Sequence, residues 1–117
     1  MSEIIRPDMS VYQYAMASAK QVYHLTCLLP VQQKFVLTAQ LRRSIVMVCT
    51  RLSAVAFSDN KERLKRNSEL FIRVYAELKT QIKMSLTLGH FQAPQLQPLE
   101  ATLDQILLYC ENNLQPR

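Results

Sequence analysis

The chain has 117 residues, of which 49% are hydrophobic and 20% charged, with a single glycine and a formal net charge of +5. That length predicts one domain with a core able to stand without disulfides or a metal, and the composition excludes a disordered tail. No apolar run reaches the roughly eighteen residues of a membrane span, and the opening MSEIIRPDMS is charged where a signal peptide is apolar, so a cytoplasmic protein is expected.

Helical periodicity runs the length of the chain with no useful alternating strand pattern, so the fold class is all-α. Ser10 offers an N-cap for a first helix of about residues 11–28, in which Val11, Ala15, Ala19, Val22, Leu25 and Thr26 recur at three- and four-residue steps. Pro30 pushes the residue before it out of the helical region and suits the first turn of a second helix, about 31–57, which no Gly or Pro interrupts. Asp59 can cap a third helix, about 60–88, with Glu62 three residues on in a capping-box pattern and Leu64, Phe71, Tyr75, Leu78, Ile82 and Leu86 on one face. Gly89 is its natural stop. Pro94 or Pro98 opens a fourth helix, about 95–113, carrying Leu99, Leu103, Ile106, Leu107 and Cys110 inward. With residues 1–9 and 114–117 as tails, the prediction is a single antiparallel up-down-up-down four-helix bundle.

Helix two carries three arginines in an otherwise apolar sequence. On a wheel, Leu37, Leu41, Ile45, Val48, Leu52, Val55 and Ala56 form the inner stripe, and Phe35, Ala39, Val46 and Phe57 a second apolar strip. Arg43 and Arg51 fall on the polar arc. Arg42 lies between the two strips and needs a carboxylate or a stem reaching solvent. Two apolar strips favour self-association.

Catalytic and metal-binding patterns are weak. Cys27, Cys49 and Cys110 have no C-x-x-C spacing and read as buried reduced thiols. His24 and His90 sit at the ends of helices one and three, one glycine cannot build a phosphate loop, and no Asp/Glu cluster occurs, so no enzyme, cofactor or metal site is expected. The methionines read as packing filler, and the tyrosines as core or interface.

Residues 1–58 hold six Lys/Arg against two Asp/Glu, residues 59–89 seven against four, and residues 90–117 one against three, which makes the middle of the chain the basic part. On helix three, Lys61, Lys65, Lys79 and Lys83 fall within about 40° of one another with no acid of that helix between them. The pairs Glu62–Arg66, Glu69–Arg73 and Glu77–Arg73 can offset other charges on its surface. The lysine stripe, with Arg43 and Arg51, is the candidate nucleic-acid-binding set, reading phosphates more than bases.

VYQYAMASAKQVYHLTCLLP, then QLRRSIVMV, then YAELKTQIKMSLTLGHF resembles the bacterial four-helix-bundle proteins encoded in 23S rRNA intervening sequences. Gln40 to Arg43 match the family's Q-[IL]-R-R, and Ala76 to Phe91 its A-E-L-x-T-Q with a following L-G-Y/H-hydrophobic. Where the family continues I-P-S-N-I-A-E-G, this chain reads Val48 to Val55 without the Pro, Asn, Glu and Gly, so a role tied to that motif does not carry over. The family includes the accessory variability determinants that work beside the reverse transcriptases of diversity-generating retroelements. The resemblance implies an antiparallel bundle assembled as a ring-like homopentamer. It also implies an ion pair between Arg42 and Glu77, the two motif charges, across helices two and three. The functional expectation is a non-enzymatic, oligomeric accessory factor that binds RNA or DNA, a reverse transcriptase, or both. The alternative is a structural, self-associating bundle without nucleic-acid binding.

Overall fold

The computed structural model describes residues 9–113, apart from the side chains at positions 9, 10, 33–35 and 113. All regular structure among them is helical, in four helices: α1 (Met9–Cys27), α2 (residues 31–56), α3 (Lys61–Thr87) and α4 (Ala93–Asn113). Ser10 is already helical; the side chains of Ser10 and Phe35 and the tails at 1–8 and 114–117 lie outside what is described.

The connections sit where the punctuation residues put them. Leu28 and Leu29 N–H groups turn back to the Leu25 and Thr26 carbonyls at 3.0 and 3.3 Å, and the helix stops before Pro30. Gly89 takes φ +80, and the Gly89 and His90 N–H groups close on the Leu86 and Ser85 carbonyls at 3.1 and 2.9 Å, a Schellman end to α3. The cap of α3 moves by one residue from expectation. Asn60, in extended backbone, accepts the Arg63 N–H at 2.8 Å, while Asp59 faces the Arg63 guanidinium at 3.4 Å. A capping box from Asp59 is therefore not formed; the extended residue directly before the helix takes the cap. In α4 the helix starts at Ala93 and encloses Pro98, and Gln95 reaches back to accept the Gln92 N–H at 2.7 Å.

Helix α2 is less regular than its sequence suggests. Val31–Gln33 is α-helical, Lys34–Thr38 is a π-helical turn, and Ala39–Ala56 is α-helical again. The wider turn rephases everything before Ala39, which explains why Leu37 is only half-buried and Thr38 is buried instead.

Beyond that point the expected stripe holds: Leu41, Ile45, Val48, Leu52, Val55 and Ala56 are buried. They join Val22 of α1, Phe71, Leu78 and Ile82 of α3, and Leu96, Leu99, Leu103 and Ile106 of α4 in one core. Helix α1 packs on α2 and α4, and α2 on α3. The Tyr75 hydroxyl of α3 donates to the Leu103 carbonyl of α4 at 2.9 Å. Leu86, expected inward, is exposed because Ser85 turns in and Phe91 and Leu96 close that end of the core. Among the described residues no helix is long and apolar enough to cross a membrane.

Candidate nucleic-acid interface

Arg42 is the most tightly placed cation of α2. Its Nε donates to the Thr26 hydroxyl at 2.9 Å, and its Nη2 lies 3.5 Å from the Tyr23 carbonyl and 3.6 Å from the Cys27 sulfur. Its guanidinium carbon stands 4.4 Å above the centre of the Tyr23 ring. Thr26 is fully buried and passes its own proton to the Val22 carbonyl at 2.9 Å, so its oxygen is oriented to accept from Arg42. The expected ion pair with Glu77 is corrected by this geometry: Arg42 turns toward α1, Glu77 is exposed on α3, and no ion pair joins them. A hydroxyl, a carbonyl and an aromatic face do the work assigned to the carboxylate.

The four stripe lysines are split. On α3, Lys61 and Lys65 lie about 27 Å by helical rise from Lys79 and Lys83, and Ile72, 48% exposed, stands in the gap. Lys79 meets Asp104 of α4 at 3.6 Å. Helix α4 carries three acids, Glu100, Asp104 and Glu111, and no Lys or Arg, so its charge offsets the stripe from across the seam. Lys61, Lys65 and Lys83 are exposed. None of the expected pairs of Arg66 and Arg73 with glutamates of α3 closes among the described residues.

Taken by helix pair instead of by stretch of chain, the charge redistributes. Residues 9–58, which contain α1 and α2, hold Lys20, Lys34, Arg42, Arg43 and Arg51 and not one Asp or Glu. Residues 59–113, with α3 and α4, hold seven of each sign. The α1–α2 half is therefore the acid-free part of the folded molecule, while α2 and α3, which pack on each other, together hold eleven Lys/Arg against three Asp/Glu.

The same half leaves aromatic rings outside. Tyr12, Tyr23 and Phe57 are 59%, 43% and 61% exposed. Of the tyrosines expected in core or interface, Tyr75 is buried and Tyr14 and Tyr109 are partly so. Tyr12, Met16 and Phe57 border a groove of ≈ 640 Å³ between α1 and α2, whose lining includes no charged residue. Cys49 lines it too, donating to the Ala15 carbonyl at 3.4 Å; burial raises its thiol pKa, partly opposed by a hydrogen bond with Ser18. Cys27, expected buried, is exposed, and Met16, Met47 and Met84 stand outside the core they were expected to fill.

Four helices closing on one shared core, with Gln40 to Arg43 at the α1–α2 seam, set the frame for comparison with known proteins. A family model for the 23S rRNA-intervening sequence protein matches residues 7–110. The chain belongs to that family. No curated protein matches the chain. For this 23S rRNA-intervening sequence protein, the exposed rings and the one-signed half are what sequence reasoning missed. The signal was present as the fifty-residue gap between Asp8 and Asp59 in which no acid occurs. Among the described residues, no group of three or more His, Cys, Asp or Glu side chains is placed to hold a metal ion.

Proposed function

We propose that this intervening-sequence family protein is a non-enzymatic, self-associating antiparallel bundle of the cytoplasm that binds nucleic acid through its phosphates. The observation that carries the reading is the acid-free α1–α2 half, in which every charged residue is a cation. Arg43, exposed, and Arg51, half-exposed, are its leading contacts on α2; Lys61, Lys65 and Lys83, exposed on α3, are the rival set. The antiparallel course of α1 and α2 is supported by Arg42 meeting Thr26 while Cys49 meets Ala15.

Self-association, in a ring of five as the family resemblance implies, is supported by apolar side chains left at the surface. Ile72 and Leu86 of α3 and Leu108 of α4 are exposed, and because α4 carries three acids and no Lys or Arg, an α3 face of one copy meets an α4 face of another with opposite charge. The exposed strip of Ala39, Val46 and Phe57 lies on the one-signed half, where a second copy would bring like charges together. A role beside a reverse transcriptase of a diversity-generating retroelement follows from the resemblance and completes the proposal.

The test is fluorescence anisotropy with labelled RNA and DNA over a salt series, paired with light scattering. Affinity falling with salt, at a log–log slope of roughly 0.7 to 0.9 per phosphate neutralised, is expected. No binding at low salt would leave the purely structural bundle, and a mass near the 13.5 kDa of one chain would remove the ring.

A further inference from the structure

Cations and exposed rings share one face of this fold. Tyr12 and Tyr23 are eleven residues apart on α1, which puts them on the same side about 16 Å from each other. Phe57 of α2 joins Tyr12 at the rim of the uncharged groove, and Arg42 lies over Tyr23. The Nε and Nη2 bonds to Thr26 and Tyr23 fix the Arg42 guanidinium and leave its Nη1 donors without a partner among the described residues. Arg43, exposed, follows Arg42 in the chain, whereas Lys20 borders a separate groove with Gln95, Pro98 and Leu99 of α4.

We infer that α1 and α2 form a contact face for a single-stranded nucleic acid, with bases stacking on Tyr12, Tyr23 and Phe57 and phosphates held by Arg42 and Arg43. The inference rests on the nucleic-acid reading above and specifies its site and strand class. Base faces stack on aromatic side chains only where they are unpaired, and a duplex would use the cations while offering no base to Tyr12, to Phe57 or to the Tyr23 face turned away from Arg42. Rings spaced about 16 Å apart serve a strand of several nucleotides better than one inserted base. Complementarity of charge selects the occupant: a strand brings only negative charge to a face with only positive charge, whereas a second copy brings the same cations or a neutral half.

Anisotropy with a fluorescein-labelled oligothymidylate and with a duplex of the same length tests this. The unaltered protein is expected to bind the single strand more tightly. Tyr12→Ala with Phe57→Ala should lower single-strand affinity about fivefold to a hundredfold for each stacked base lost, spare duplex affinity and keep the salt slope. Arg43→Glu should reduce the slope by about one for both probes. Circular dichroism and light scattering on the same samples should show unchanged helicity and mass, since all three side chains are exposed. Binding that ignores both variants would overturn the site while leaving nucleic-acid binding itself intact. A drop in oligomer mass on removing the two rings would make the face a subunit interface and overturn it equally. Failure of the unaltered protein to bind either probe would take the underlying reading down with it.

Discussion

The two halves of the bundle hold their polar groups by different means. Between α3 and α4 the contacts are complementary: Lys79 faces Asp104, and the Tyr75 hydroxyl caps the Leu103 carbonyl. Between α1 and α2 there is no acid to pair with, so Arg42 is held by a hydroxyl, a carbonyl and a ring face, and Cys49 donates to a carbonyl. A cation anchored by neutral groups keeps its full charge toward solvent, whereas one anchored by a carboxylate is largely neutralised. The difference leaves α1–α2 with cations that no carboxylate neutralises, although α3 carries more lysines and arginines.

The largest effect expected from breaking this arrangement is at Thr26. Thr26→Val keeps the shape and removes the oxygen that accepts from Arg42, which should cost about 1–3 kcal/mol in urea unfolding, the range for a hydrogen bond to a charged group with its donor left partly buried. Glu77→Gln, at an exposed position, should stay within about 0.5 kcal/mol of the unaltered protein. The reverse order of the two effects would restore Glu77 as the partner of Arg42 and erase the contrast between the halves.

The fold is legible from the sequence because its signals are local. Pro30 and Gly89 stop helices by backbone geometry alone, and the stripe from Leu41 to Ala56 follows from a period that needs no knowledge of neighbours. The misassigned features at Arg42 and Lys79 depend on which helix lies alongside. A wheel gives the direction of Arg42 on its own helix but not that Tyr23 and Thr26 stand there. It shows Lys79 without an acid because Asp104 is twenty-five residues away on another helix. The π-turn at Lys34–Thr38 shifts Leu37 outward with no Gly or Pro to announce it. The acid-free run of residues 9–58 becomes a candidate interface only once α1 and α2 are known to pack side by side.

Alkaline titration sharpens the comparison at a smaller scale. Burial, then the nearby Asp104, Cys110 and Glu111, push Tyr75 up to about 12 from 10.0, and burial followed by Glu111 pushes Cys110 up to about 11 from 9.0. Both groups are neutral when protonated, so the folded state holds these protons after the unfolded chain has released them. Their contribution is therefore whole below about pH 9, set by the unfolded Cys110, and is lost as pH rises toward about 12. Tyr75→Phe should cost about 1 kcal/mol at neutral pH through the lost bond to Leu103 and should flatten the decline above pH 10. A Tyr75→Phe protein with an unchanged alkaline profile would show that Tyr75 does not carry the titration.

The smallest stability effect separates the two candidate binding surfaces most cleanly. Asp104 and Lys79 are 68% and 35% exposed, so Asp104→Asn should change stability by less than about 1 kcal/mol. It also removes the charge that faces the lysine stripe. If the stripe on α3 contacted phosphates, freeing Lys79 would raise affinity for nucleic acid and steepen the salt slope by up to about one. Binding through α1 and α2 predicts neither change, because Asp104 lies on the opposite half and its field on that face is screened at ordinary salt. The anisotropy series with Asp104→Asn therefore decides between the surfaces without disturbing the fold. A clear gain in affinity would return the binding site to Lys61, Lys65, Lys79 and Lys83.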